Sequence, residues 1–491
     1  MKELSIRLER GAKTPLYEQL KQHLIEQIRS GVLPPGARLP ATRDLADQLD
    51  IGRISVVSAY EDLKQAGYLE AHVGRGTFVA DHPPEENTAA LTGSAFFQDA
   101  SIRELVRMAA RPGVISFAMG TPPDEFLPVG IIQQAIDAVL ARDGASALAY
   151  EAPEGFSPLR EAIAQMVGES GIEVRADDVL ITGGCQQALD LAVQALLNPG
   201  DVVLTSSPTY AGFLDIAQAR GITPVGVPVD RYGMRTDMLE ALIAENRPRL
   251  LYVAPTYHNP TGTVMPAYRR EELLAVAAQY RLPVLEDGVY QDLTFTTAPP
   301  PPLKAMDDTD LVMHASSFSK IMMPGMRIGY LIVGERLRRR LVRVKQAADV
   351  CTPALNQRAM HHVLTGGQLN THLEAVRSAL LTRRSALLDA LERHLPEAAW
   401  HEPKGGLYVW VLLPEDGPSA AELLVHAIGQ GTAFAPGPLF HLDGAGVHAL
   451  RLNLAAHPPD VIEEGVRRLG FVWAQQAEHY QPASRPTSPL L

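Results

Sequence analysis

Five short apolar runs, each cut off by a turn, constrain this chain more than anything else in it: VLITGG, DVVLTSSP, RLLYVAPT, LPVLEDG and IGYLIVG. They lie within residues 101–475 and are separated by stretches of helical periodicity. A bounded run of this length fits a strand buried on both faces. Strands that alternate with helices need crossover connections, so the pattern predicts an α/β layer with a mainly parallel central sheet. Open sheets of that kind place ligands at the carboxyl ends of their strands. The residues just after each run are therefore where chemistry is expected.

Residues 15–80 follow a different grammar. In PLYEQLKQHLIEQIRSG, Leu16, Leu20, Leu24 and Ile28 recur every four residues, with Pro15 suited to a first helical turn and Gly31 to a C-cap. A second short helix, TRDLADQL, is followed by a turn at Ile51-Gly52. A third, RISVVSAYEDLKQA, places Val56, Ala59, Tyr60 and Leu63 on one face. YLEAHVGRGTFVA then alternates around Gly74-Arg75-Gly76 as a β-hairpin. Helix, short helix, turn, helix and hairpin make a winged helix-turn-helix. The expected domains are 1–80 for this unit, 81–104 for a Pro/Thr/Ser-containing linker, 105–478 for the α/β body and 479–491 for a disordered tail.

Charge separates the two parts. The 491 residues carry a net −12. Residues 1–80 hold 11 Lys/Arg and 10 Asp/Glu, which leaves 33 and 46 elsewhere, a body of net −13. Such a body repels polyanions, so nucleic-acid contact is expected from the first 80 residues. No apolar run reaches the roughly 18 residues of a membrane span, and MKELSIRLER lacks a secretory apolar stretch. Cys185 and Cys351 make no disulfide framework, and no Cys/His cluster has zinc spacing, so no metal is expected. A cytoplasmic location is the expectation.

Each strand end carries a candidate group. Lys320 in SSFSK, with Arg327 seven residues on, suits a cofactor that needs an amine for a Schiff base and a cation for phosphate. Asp287 ends LPVLED, where a carboxylate can pair with a pyridine nitrogen. Asn259, in HNPTG, can donate to a phenolate. Gly184, Cys185 and Gln186 open a helix whose free amides suit phosphate. Tyr210, after SSPT, can stack on a ring. Arg451, inside the apolar run ALRLNLA, wants a carboxylate. Taken one at a time, these have plainer readings: a surface lysine, a helix cap, an Asn-Pro turn.

Taken together, in this order and spacing, they resemble the pyridoxal-phosphate site of fold-type I aminotransferases over about 110–475. The resemblance includes YEAPEGFSPLREAIA, GDVVLTSSPTY and GGLYVWVLLP. It implies a mainly parallel central sheet with large and small subdomains, and Lys320 as the residue forming the internal aldimine. It implies Asp287 on the pyridine nitrogen, Asn259 and Tyr290 on the phenolic oxygen, and Tyr210 on the ring. Gly184, Cys185, Gln186, Ser317, Ser319 and Arg327 would hold the phosphate, with Tyr150 donated by a partner subunit. Gly120 and Arg451 would meet the substrate. Cys185 departs from the frequent serine, and its backbone N–H is expected to serve instead. The N-terminal unit resembles GntR-family domains, which implies Arg38, Arg43, Arg53 and Ser55 facing DNA, with Gly74 and Gly76 in the wing.

The two resemblances together point to the MocR/GabR family of pyridoxal-phosphate-dependent regulators. That implies a homodimer binding operator DNA and sensing an amino acid or amine through aldimine exchange at Lys320. The rival expectation is an active aminotransferase of 2-aminoadipate or kynurenine type. A cofactor-free scaffold ranks last, because it has no need of every cofactor-facing residue.

Overall fold

The computed structural model describes residues 16–29, 33, 36–49, 51–52, 56–57, 59–60, 63–64, 68–72, 76–80, 113–120 and 122–479. The chain divides into two compact units, Met1–Phe96 and Phe97–Leu491.

In the first unit, helix Leu16–Arg29 turns Leu20, Leu24 and Ile28 inward, as four-residue spacing dictates. Helix Thr42–Leu49 buries Leu45 and Ala46. Val56, Ala59, Tyr60 and Leu63 are all buried, the face their spacing predicts, in one cluster with the first two helices. The Tyr60 hydroxyl donates to the Pro40 carbonyl at 3.0 Å, so its polar tip is satisfied inside the core. Strands β1 (Leu69–His72) and β2 (Gly76–Val79) pair antiparallel, with Leu69 opposite Val79.

The first strand described in the second unit is the two-residue β3 (Ile115–Ser116). Its large sheet is built from β4 (Val179–Thr182), β5 (Val202–Ser207), β6 (Thr223–Asp230), β7 (Gly233–Met234), β8 (Leu250–Val253), β9 (Val284–Asp287), β10 (Val312–Ser317) and β11 (Gly329–Ile332). The spatial order is β4-β11-β10-β9-β8-β5-β6-β7. Strands β10, β9, β8, β5 and β6 run parallel, whereas β11 is antiparallel to both neighbours and β7 to β6. Every residue of β4, β8, β9, β10 and β11 is buried. Leu180 and Leu331 pack on one face, and Ile181, Tyr330 and Ile332 on the other. Burial on both faces is why these strands read as unbroken apolar runs.

A smaller sheet uses β12 (Ala399–Trp400), β13 (Tyr408–Leu412), β15 (Ala435–Pro436) and β16 (Ala449–Asn453), all antiparallel, in the order β12-β13-β16-β15. The remaining strand, β14 (Thr432–Ala433), pairs in parallel with β3. Helices Gln368–His394 and Pro459–His479 pack together over this part. Among the described residues no helix is long and apolar enough to cross a membrane.

The consequence for function is one edge. Strands β4, β5, β8, β9 and β10 all end there, and β11, running the other way, begins there.

Candidate cofactor and ligand site

That edge opens into a cavity of about 350 Å³. Gly120, Cys185, Gln186, Tyr210, Asn259, Asp287, Tyr290, Ser317, Ser319, Lys320, Arg327 and Arg451 all line it. Residues 331 positions apart in sequence thus share one pocket. Gly184 sits just behind its wall as the N-cap of helix Cys185–Leu196, at φ +98. A Cβ there would run into the Arg327 guanidinium, so the position needs glycine for both conformation and space. Tyr150 is 89% exposed and lies outside this cavity.

Asp287 closes the floor. Tyr252 donates to its Oδ2 at 2.9 Å, the Val289 amide to its Oδ1 at 3.2 Å, and the Cys185 thiol lies 3.7 Å from Oδ1. Burial pushes the Asp287 pKa up, and the three donors oppose that shift. Burial next to Asp287 pushes the Cys185 and Tyr252 pKa values up, so both remain protonated donors. The thiol of Cys185 therefore has work of its own, beyond the backbone N–H expected from the sequence. Tyr252 was not singled out by sequence reasoning. It lies in the apolar run LLYV and stacks on Phe213 at 3.8 Å, so it reads as core.

At one side, helix Cys185–Leu196 begins with amides that have no intrahelical acceptor. Arg327, in the left-handed region at φ 54, donates Nη2 to the Gly183 carbonyl at 2.6 Å. Ser317 and Ser319 complete this corner, and the Ser319 amide donates to the Ser317 hydroxyl at 3.3 Å. Amides at a helix N-terminus, hydroxyls and a guanidinium form a phosphate cradle. Tyr210 forms the wall over Gly212, and its hydroxyl donates to Gln186 Oε1 at 3.1 Å.

The opposite side is built on the small sheet. Arg451 is 7% exposed, and its partners are neutral: Asn259 Oδ1 at 2.8 Å and the Ala118 carbonyl at 2.6 Å. Its guanidinium lies 4.1 Å from the Tyr408 ring centre and 4.8 Å from that of Phe440. Among the described residues its Nε has no hydrogen-bond partner. A buried cation without a carboxylate is costly to maintain unless a ligand supplies one. Tyr290 and Tyr408 share a hydrogen bond at 3.0 Å. Tyr408, also not singled out from sequence, needs Gly120, because a Cβ at 120 would collide with its hydroxyl. Lys320 Nζ donates to the Gly120 carbonyl at 2.6 Å.

An amine, a buried acid opposite it, a phosphate cradle and an aromatic wall are the donor set that pyridoxal phosphate requires, and the residues fit it. In the first unit Arg38 and Arg43 are exposed and Gly76 opens β2. Arg53, Ser55 and Gly74 lie outside the described residues.

Comparison with known proteins agrees with both units. Residues 16–79 match the family of bacterial regulatory proteins, gntR family, and residues 112–469 match aminotransferase class I and II. An uncharacterized HTH-type transcriptional regulator, YdfD of Bacillus subtilis, is 31% identical over 94% of this chain and 96% of its own. The probable rhizopine catabolism regulatory protein MocR of Rhizobium meliloti is 29% identical over 98% of each chain. The crystal structure of the α-aminoadipate aminotransferase LysN of Thermus thermophilus, complexed with N-(5'-phosphopyridoxyl)-L-leucine, superposes with a TM-score of 0.72. It is 35% identical and covers 81% of this chain and 98% of its own.

Proposed function

Because the chain belongs to the MocR-type regulators, in which a GntR-family DNA-binding unit is fused to an aminotransferase class I and II body, we infer that Lys320 and Arg451 are where an amino acid is read. The protein is a pyridoxal-phosphate-dependent, DNA-binding transcriptional regulator. When bound, the cofactor supplies an aldehyde carbon that exchanges amines and a ring that withdraws electrons.

One observation carries the sensing reading. Three successive carbonyls, of Ala118, Met119 and Gly120, are held by Arg451, Asn453 and Lys320 respectively. Two of those three side chains are the cations that a ligand engages. A ligand carboxylate competes with the Ala118 carbonyl for Arg451. Lys320 Nζ would be free to donate to the Gly120 carbonyl only while it is not joined to the cofactor, so the hold on Gly120 would depend on whether a ligand amine has taken its place. Ligand arrival is thereby converted into tension or release on the strip Ala118–Gly120. From this strip the chain leads back through β3 toward the linker and the DNA-binding unit. The ligand shifts DNA binding only as far as it favours one state of the strip over the other.

The remaining residues have positioning tasks. Asp287 holds the ring nitrogen protonated. The first amides of Cys185 and Gln186, with Ser317, Ser319 and Arg327, fix the phosphate. Asn259, braced by Arg451, presents its amide nitrogen beside Tyr290 to the phenolic oxygen. The assembly is a homodimer, in which the exposed Tyr150 serves the partner's phosphate and two-fold symmetry calls for paired half-sites in the operator.

A second reading, an active aminotransferase, is favoured by the completeness of the same cavity: Lys320 can also carry a proton to and from a bound ligand. A single experiment addresses both. The holo-protein is titrated with a panel of amino acids and amines, following visible absorbance and operator binding in parallel, with keto-acid formation assayed. Ligands that change both absorbance and operator affinity support the regulator. Turnover at rates of metabolic enzymes, about 1–10³ s⁻¹, without any effect on operator binding supports the enzyme instead.

A further inference from the structure

The helix Glu335–Asp349, ERLRRRLVRVKQAAD, holds six cations within ten positions of a body whose net charge is −13. Two of them are accounted for. Lys345 is buried and donates to Asp349 at 2.7 Å, and Arg338 leans on the Asp177 carbonyl at 3.2 Å. Arg336, Arg339, Arg340 and Arg343 are exposed, and among the described residues none has an acidic partner. Their spacing is i, i+3, i+4 and i+7, which sets all four on one face. The other face, with Leu337, Leu341 and Val344, packs into the core. The stripe flanks an open cleft of about 550 Å³ whose lining holds Arg338, Arg339 and Arg343 and a single acid, Glu154.

Left uncovered, such a face works against its own helix. Like charges three and four positions apart repel, and Arg336 sits in the first turn, where the helix dipole disfavours a cation. Arginine also offers the fork geometry that matches phosphate oxygens in pairs. From Arg336 to Arg343 the helix advances about 10 Å. One DNA strand presents a phosphate roughly every 3.4 Å of duplex axis, so the stripe spans about three of them.

We propose that the Arg336–Arg343 face is a second, sequence-independent contact with the backbone of duplex DNA, outside the stretch read by the N-terminal unit. It rests on the regulator reading, and it revises the expectation that all nucleic-acid contact belongs to the first 80 residues. That expectation followed from the body's total charge, whereas a duplex nearby responds to the local stripe.

The test uses the full-length holo-protein and two duplexes carrying the same operator, selected in vitro by this chain. One is trimmed to its half-sites and the other is extended by flanks of arbitrary sequence. Wild type is compared with the quadruple variants Arg336→Gln/Arg339→Gln/Arg340→Gln/Arg343→Gln and Arg336→Lys/Arg339→Lys/Arg340→Lys/Arg343→Lys. Flanks are expected to tighten wild-type binding by roughly tenfold or more at low salt and to steepen its log–log salt slope by about two to three. The glutamine variant loses both gains and still binds the trimmed operator as wild type does. The lysine variant keeps most of them. Equal gains from flanks in wild type and glutamine variant overturn the proposal while leaving the regulator reading intact. A glutamine variant that falls from dimer to monomer in sedimentation overturns it in favour of a face between copies. Failure of the regulator reading itself shows separately, as unchanged trimmed-operator binding in Arg43→Ala.

Discussion

The two ends of the central cavity are finished to different degrees. At the Asp287 end, every feature is supplied from within: three donors converge on one buried carboxylate, and a helix N-terminus and Arg327 wait beside it. At the Arg451 end, a buried guanidinium is held by two neutral oxygens and two aromatic faces, with Nε bare. The first end is preorganised for a resident group. The second is left incomplete, and only a ligand with a carboxylate completes it. That asymmetry suits a sensor, because the cofactor end stays constant while the other end changes partners.

Lys320→Ala is the severest test of this contrast, since its amine serves both ends. The variant is expected to lose the cofactor's visible absorption band and all response of operator binding to ligand. Its secondary structure by circular dichroism should be unchanged. A variant that retains the band shows that another amine captures the cofactor.

His258 is buried beside the Asn259 turn, with Nδ1 2.8 Å from the Thr261 hydroxyl. Burial lowers its pKa from the ordinary 6.5 to about 4. The folded state thus prefers neutral imidazole. Its contribution is complete above pH 6.5, drains away as pH falls, and is exhausted below about pH 4, a swing of about 3 kcal/mol. In His258→Gln that swing should vanish. The gap between wild type and variant in urea unfolding should therefore narrow steadily from pH 7 to pH 4. A gap independent of pH means that the ring is already accommodated as a cation.

Arg451→Met addresses the incomplete end most directly. Losing one charge-assisted contact to a carboxylate costs about 2 kcal/mol, a roughly 30-fold weaker response to amino acids. The response to amines without a carboxylate should weaken far less, by no more than the loss of the brace on Asn259 costs. Equal weakening for both classes would mean that the residue shapes the cavity rather than reading a carboxylate.

The same contrast explains what was legible in the sequence. The residues at strand ends declared themselves, because Asp287, Asn259 and Lys320 are polar groups that interrupt apolar runs at turns. Val56, Ala59, Tyr60 and Leu63 were legible from spacing alone. Tyr252 and Tyr408 were not, because a tyrosine inside LLYV or LYVWV has the same pattern whether its hydroxyl is spare or employed. Gly120 was expected on the substrate side, but the joint role of Ala118–Gly120 escaped for a different reason: it lies in carbonyls, which every sequence has. The β3–β14 pair joins two-residue strands more than 300 positions apart, too short to show a period. Cys185 was placed correctly at the helix start, but which way its thiol points depends on Asp287, 102 residues on.

The finest test falls on the finished end. Tyr252→Phe removes one hydroxyl and keeps the ring that stacks on Phe213. Asp287 then loses one of the donors that offset its burial, at about 1 kcal/mol, so cofactor should be held several-fold less tightly. Direction matters more than size here. A lost donor destabilises the charged carboxylate, so the Asp287 pKa rises further. Pairing with a protonated ring nitrogen needs that carboxylate ionised. The acid limb of cofactor binding, followed by visible absorbance, should therefore move to higher pH in the variant. A simple packing defect weakens binding equally at every pH and leaves the limb where it was. If the limb stays put, Tyr252 belongs to the core, and the carboxylate end of the cavity is less finished than its hydrogen bonds make it look.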